Sequence, residues 1–566
     1  MPANLAGRPE GVYLSGTRMR VRCGLALALA AAIGTALSGS VAGGNVAATA
    51  RSGGTFRVVS CSAGPTCIDS IDPALGFSGG GQVVVAQPTC ASLVRYPDKP
   101  PPAGYALVAE LAAAFPRISG GGRVYTFRIR KGLRFSTGAT VTGRDLAHTL
   151  DRILDPRVQS PIASLFSNIV GAREVADGKA TTVSGVTATR KTIRFRLRNA
   201  DGGFLANVAS SLCAVPSNLP ADSEGVGAPL PSAGPYYVSQ FVRGRRIVLE
   251  RNRYYRGNRP QHVARFDINL QATNATILDH VKAGKADWGW VGTSVAGPFA
   301  PELAKRYGVN KRQFFVRRGL FVRLFVLNTS RPLFRNNARL RRAVNFAVDR
   351  AALTAQRGRY AGTPTDHYLS PDYPGYRRVR IYPLRPNLAR ARALARGHTR
   401  GGKAVVYVPS SPPEIAPAAI AQGQIVRRNL KRIGLDVTIR QFPVGVLFQK
   451  LATPGEPFDL AWIGWTGSPD PGLLDCLFNG KWIGKEEGCN YSYFNTPRYN
   501  RRLSAAARLA GSARSSAFGR LDLELARDAA PAIAYTYDNA FTLVSRRTGC
   551  VVLNPWLDLT AVCIRP

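Results

Sequence analysis

The chain is short of acid. Against 76 lysines and arginines stand 34 aspartates and glutamates, a formal net charge of +42 with histidine neutral. A field of that sign attracts acidic ligands and polyanions. The excess, however, is spread in pairs such as Arg317-Arg318, Arg341-Arg342, Arg377-Arg378 and Arg501-Arg502, with no run of five or six, so a dedicated basic tail for nucleic acid is absent. Histidine is scarce at 5. With no CxxC and no HExxH, the sequence offers no ligand set at metal-binding spacing. No P-loop and no dinucleotide fingerprint occur, which leaves nucleotide chemistry without residues to run on. A repeat of 20–50 residues is also missing, which excludes a solenoid. Beyond the N-terminus no stretch of about 18 apolar residues follows, so no further membrane-spanning helix is implied.

What is there begins with an address. Arg18, Arg20 and Arg22 precede an apolar run from Cys23 to Leu37 and then small residues, the layout of a secretory signal peptide. The run is shorter than the ~20 residues of a confident membrane span. Ser40-Val41-Ala42 is the favoured cleavage site, with Ala48-Thr49-Ala50 as the alternative, and the expected signal is 1–42. Met19 would give a more compact leader, so residues 1–18 read as an over-extended start. Without Cys23, an even set of cysteines remains in an oxidising compartment, where disulfides are the default. Cys61 with Cys67, Cys476 with Cys489, and Cys550 with Cys563 can close small loops, which leaves Cys90 and Cys213 for each other. With 566 residues, two or three domains are expected, since a domain takes ~100–200 residues.

The stretch GRVYTFRIRKGLRFSTGATVTGRDLAHTLDRILDP, from Gly122 to Pro156, organises the rest. Tyr125, Phe127 and Ile129 alternate with polar residues, a strand with one buried face. Thr142 stands three residues before Asp145 as a capping box, and Leu146, Ala147, Leu150, Ile153 and Leu154 trace one apolar stripe of a helix that Pro156 ends. This wording resembles the signature of the bacterial extracellular solute-binding proteins of family 5, the peptide, opine and nickel group: a basic strand, a Lys-Gly turn, Phe135 to Gly138, then a Thr-initiated helix ending in Arg and Asp-Pro. Further pieces are similar to that family. They are the Asp72-Pro73 opening turn, Ser232-Ala233-Gly234-Pro235-Tyr236-Tyr237, Arg251-Asn252-Arg253-Tyr254-Tyr255, and the short helix around Ile277, Leu278 and Val281 with Gly284 and Asp287. The last is Asn328-Thr329 with Leu340 to Arg350. In that last match Leu340, Ala343, Phe346 and Ala347 read as core, and Arg342 and Asp349 as partners in buried structural ion pairs.

The fold expected is α/β and periplasmic-binding-protein-like, of the class II type, with two mixed-sheet lobes, hinge-crossing strands and an extra inserted domain. Lobe I takes 43–88, 216–318 and 533–566, the inserted domain 89–215, and lobe III 319–532. A further alternating strand is expected at Thr192 to Leu197. Independently of the family, Ala404–Val408, a helix through Ile420, Ile425, Leu430 and Ile433 stopped by Gly434, and Leu435, Val437 and Ile439 form a βαβ pattern. Ligands of such sheets sit at the carboxyl ends of strands, where the loop 409–413 emerges. The strand around Ile533 to Val544 should cross back into lobe I.

For the site, Phe458 to Pro471 joins a buried strand to an aromatic, Gly/Pro-rich loop. Trp465 matches the family's cleft tryptophan, with Thr466 beside it and Phe77 expected on the loop that borders the cleft from lobe I. In peptide-binding members an aspartate just after Trp-x-x holds the peptide's α-ammonium. Here Ser468 stands in that place, which suits a ligand without a free amino terminus. Asp470 could substitute by shifting, although it aligns better with the structural Asp-Pro turn. The resemblance implies a receptor for a small molecule or peptide that hands its cargo to ABC transporter permeases. It would do so without catalysis, cofactor, metal or nucleic acid, as an exported monomer, periplasmic or extracellular. The lipid-attachment Cys that many such receptors carry is missing, and an uncleaved leader is the alternative tether. Two rivals stand: a basic envelope sensor or scaffold on the same fold, and a hydrolase with Ser78 as nucleophile in Gly76-Phe77-Ser78-Gly79-Gly80. Turn residues precede that motif where a nucleophile elbow needs a strand.

Overall fold

The computed structural model describes residues 53–61, 67–76, 78–270, 273–291, 299–413, 415–484 and 488–565. The leader 1–42 and Phe77 lie outside the described residues.

Three sheets carry the architecture. Thr55–Val59 pairs in parallel with Arg265–Asn269 and with Trp288–Gly289, and the antiparallel strands Arg246–Arg251 and Tyr236–Val242 complete a five-stranded sheet. The signature strand Val124–Arg128 sits in a four-stranded antiparallel sheet beside Thr192–Arg196, Tyr125 opposite Phe195 and Phe127 opposite Ile193. Tyr125 and Phe127 are buried as their alternation requires. Against this sheet lies the helix Gly143–Leu154, with Leu146, Leu150, Ile153 and Leu154 in the same apolar core. Its N-terminus closes as the motif demands, the Asp145 carboxylate accepting from both the amide (2.8 Å) and the hydroxyl (2.7 Å) of Thr142.

Arg152 of this helix reaches out of its own sheet. Its guanidinium pairs with both carboxylate oxygens of Asp72, at 2.7 and 3.2 Å, and neither side chain sees solvent. Two separate motifs of the sequence, the Asp-Pro turn and the signature helix, are therefore halves of one buried contact between neighbouring regions.

The third sheet has six strands and holds the βαβ unit: Lys403–Ser411 and Asp436–Pro443 run parallel, joined by the helix Ala416–Lys431, with Leu460–Trp465 on the other side. Two long strands of this sheet, Phe314–Leu327 and Ala532–Leu543, pair antiparallel from Phe314 opposite Leu543 to Val326 opposite Ala532. Past its end, Val544 bridges to Trp288 of the five-stranded sheet. These two strands are the crossing elements, and at their middle Asp538 holds the buried Arg323 and Arg357, each at 2.8 Å. The fold is thus a mixed α/β architecture.

One expectation is replaced. Asp349 is a helix cap rather than an ion-pair partner, accepting from the amide of Ala352 at 2.8 Å. The buried cations of that segment are Arg341 and Arg350, satisfied by main-chain carbonyls of Ala529, Phe334, Ala534 and Asn345. An arginine with enough carbonyl acceptors can be buried without a carboxylate. Disulfides join Cys61–Cys67, Cys90–Cys213, Cys476–Cys489 and Cys550–Cys563.

Candidate functional site

A cavity of about 720 Å³ opens between the region of the four-stranded sheet and the region of the six-stranded sheet. One wall comes from residues 164–207, with Leu165, Asn168 and Asp201; the other comes from the end of the strand Leu460–Trp465 and the helices behind it. Trp465, Thr466, Ser468 and Asp470 all line it. The loop 409–413 does not; the cavity sits at the carboxyl end of the neighbouring strand, parallel to the one that feeds that loop. A second cavity of about 560 Å³, between Arg57, Arg245, Arg246 and Lys285, is lined by the five-stranded sheet's region alone.

Why the indole stands at the mouth follows from the strand. Alternation places Ile463 in the core and leaves Trp465, two residues past the last fully buried position and on the same face, half-buried with its ring edge-on to Tyr491 at 6.0 Å. Thr466 and Gly467 are exposed. An aromatic so placed gives apolar area at the entrance while its far side packs on the core.

Asp470 is engaged. Arg514, buried on the helix Gly511–Glu524, donates to it from Nε (2.9 Å) and Nη2 (2.6 Å), and the amide of Gly472 donates to it at 2.7 Å. Burial works against the guanidinium's charge, but the Asp470 carboxylate outweighs it and holds Arg514 above its ordinary value. Deeper in, Asp475 accepts from Trp482 Nε1 at 3.0 Å and from Lys481 Nζ at 2.6 Å. The carboxylate left without a bonded cation is Asp201, which accepts the amide of Gly203 at 2.8 Å and which burial pushes upward.

The two walls touch. The amide of Gly202 donates to the carbonyl of Ala507 at 2.9 Å, and the same carbonyl accepts Arg514 Nη1 at 2.7 Å. A Cβ on Gly202 would fall 1.5 Å from the carbonyl oxygen of Leu509, so only glycine allows the approach. From the hairpin Val94–Arg95/Val108–Ala109, Tyr96 brings its phenol to the Ser468 side chain, and burial together with Asp470 raises that phenol's pKa so that it stays protonated.

Against known proteins, the profile described as bacterial extracellular solute-binding proteins, family 5 (middle) matches residues 106–482. The chain belongs to this family. It is a solute-binding receptor of that family. Among relatives of this family member, heme-binding protein A of Haemophilus influenzae is 23% identical over 456 residues, covering 78% of this chain and 80% of that protein. The oligopeptide-binding protein OppA of Bacillus subtilis is 23% identical over 407 residues, covering 68% and 71%. Among solved structures, clavulanic acid biosynthesis oligopeptide binding protein 2 superposes with a TM-score of 0.82 at 23% identity, covering 91% of this chain and 96% of that one. The unliganded open form of the murein tripeptide binding protein MppA gives 0.72 at 20% identity.

Sequence reasoning brought together Trp465, Thr466, Ser468 and Asp470, which are contiguous. It missed Arg514, Asp201, Trp482 and Tyr96. Arg514, Asp201 and Tyr96 come from distant parts of the chain, Trp482 stands seventeen residues after Trp465, and none carries a local pattern that marks it for this site.

Proposed function

We propose that this protein is an exported receptor that captures a small peptide-like solute in the Trp465 cleft, closes over it, and presents it to the permease of an ABC importer without making or breaking bonds. The carrying observation is the cavity itself: about 720 Å³ between two walls, within the ~300–1,000 Å³ typical of small-ligand sites. Its lining mixes Trp465, Trp482 and Leu165 with polar groups, and its carboxylates Asp470 and Asp475 are already paired with Arg514 and Lys481. Beside Trp465 a ligand ammonium therefore meets Ser468 and spent charges rather than a free acid, and the carboxylate without a bonded cation, Asp201, stands on the opposite wall, where burial favours its neutral form. The reading that follows is a solute recognised by shape, stacking and neutral hydrogen bonds, with a blocked or absent amino terminus. Relatives named for oligopeptides and for heme make the range of cargo in the family wide, and Ser468 with Trp465, Thr466 and Asp470 is the set proposed to select among them. Closure by population shift follows from two lobes joined by the strands Phe314–Leu327 and Ala532–Leu543.

Binding without turnover is supported at Ser78. Its hydroxyl donates to Asp69 at 2.8 Å and accepts the amide of Gly81 at 2.9 Å, the bonding of a turn cap. The export route and the division into 43–88, 89–215, 216–318, 319–532 and 533–566 belong to the same proposal, as does the monomeric state.

Native mass spectrometry of protein purified from its own host tests the reading. A bound mass that survives desalting, is lost in Trp465→Ala, and shows unchanged composition after incubation supports it. Product formation, or a mass retained in Trp465→Ala, rejects it. Ser468→Asp should gain affinity for a free-amino tripeptide by roughly tenfold, the worth of one charge-assisted hydrogen bond, measured by calorimetry.

A further inference from the structure

The hairpin of residues 94–109 belongs to the side of the cleft opposite Trp465. Val94 and Leu93 pack in the core of the four-stranded sheet's region. Its neck is held by the C-terminal segment, where Asn554 Nδ2 donates to the carbonyls of Gly104 (3.0 Å) and Pro97 (3.4 Å). A Cβ at Gly104 would meet the Lys99 carbonyl at 2.0 Å, so the tip is folded tightly on itself. Around the base lie five charged groups. Arg95 pairs with Asp98 at 2.9 Å and Arg259 with Asp98 at 3.4 Å; Glu110 lies 3.5 Å from Arg95 and 3.7 Å from Arg259, and buried Asp558 completes the set beside Asp98. So anchored, the hairpin is a rigid arm.

Its two tyrosines go elsewhere. Tyr105, 6% exposed, is packed in the core of the six-stranded sheet's region with Leu320, Val322 and Tyr373. Tyr96 stands between the cavity at the hairpin's base, which it lines, and Ser468 of the solute cleft. A side chain rooted in one lobe and buried in another's core contributes its apolar area only while the lobes are together.

We propose that this hairpin fastens the closed cleft, with Tyr105 as the positioning residue that holds the Trp465 lobe through ring burial. The free energy of closure is then supplied partly by the protein itself, and the solute needs only the remainder.

The test needs no solute, so it stands apart from the ligand reading. Protein is freed of bound solute by reversible unfolding in guanidinium, and amide hydrogen exchange is followed at Gly202, whose bond to Ala507 spans the cleft, with small-angle scattering alongside. Tyr105→Ala should raise exchange at Gly202 on the order of a hundredfold, the scale of a buried aromatic truncation, and enlarge the radius of gyration. The Phe127 and Phe195 amides should keep wild-type protection. Tyr105→Phe should behave as wild type, because the Tyr105 hydroxyl has no hydrogen-bond partner among the described residues. Wild-type exchange at Gly202 in Tyr105→Ala overturns the proposal. Equal loosening at Phe127 and Phe195 also overturns it, since that would be unfolding rather than opening.

Discussion

The helix Gly143–Leu154 and the loop that follows the strand Leu460–Trp465 are built on opposite plans. The helix satisfies its own start through Thr142 and Asp145, buries a full apolar stripe, and sends one guanidinium to a carboxylate that is equally shut off from water. The loop leaves Thr466 and Gly467 in solvent, keeps Trp465 half-buried, and has its acid held by an arginine from a helix forty-four positions on. The first arrangement resists change because its buried polar groups are fully bonded, Asp72 also accepting the amides of Ala74 and Val226 and Arg152 also donating to the carbonyl of Pro220. The second leaves surface unspent, which a solute can use.

The buried Arg152–Asp72 pair breaks this comparison most directly. Arg152→Ala strands Asp72 where both side chains are at most 1% exposed, and the loss should be about 3–5 kcal/mol in urea unfolding. Leu150→Ala should come close behind at about 2–5 kcal/mol. Trp465→Ala, by contrast, should leave the unfolding midpoint nearly in place and cost about 2 kcal/mol or more of affinity for the host-derived solute, seen by calorimetry. Arg514→Ala tests whether the cleft wall is as rigid as the helix. Asp470 is 21% exposed and can recover water, so a smaller loss of about 1–3 kcal/mol is expected.

A pH profile sharpens the contrast at the hairpin's base. Burial, and then the neighbouring Asp98 carboxylate, push Asp558 up to about 6 from an ordinary 3.8. The folded state therefore binds this proton more tightly than the unfolded one, and stability from this group is whole below about pH 4 and drains as pH rises through 6. Asp558→Asn should flatten the stability slope between those values in urea titrations. Smallest is Thr142→Ala, about 1 kcal/mol from the lost cap, which should leave solute affinity unchanged.

Periodicity made the signature strand and helix, the βαβ unit and the closing strand legible, because one buried face imposes a repeat on neighbouring residues. The strand expected around Ile533 to Val544 is Ala532–Leu543, and its continuation does reach Trp288. The role of Asp349 was not legible, since an acidic side chain just before a helix can cap or pair and the local sequence is the same for both. The loop 409–413 was singled out by a rule about strand ends that holds for the sheet as a whole; which strand end faces the opposite wall depends on where that wall packs.

By itself the sequence determined the elements, the family and the tryptophan at the end of the strand Leu460–Trp465 that lines the cavity, for these depend on residues within a few positions of one another. Only the tertiary structure decided that Asp470 is held by Arg514, that Asp72 and Arg152 form one contact, and that Tyr96 and Tyr105 cross from one side to the other. The physical reason is that charge pairing and burial are settled by distances in space, and chain separations of tens to hundreds of residues leave no periodic trace.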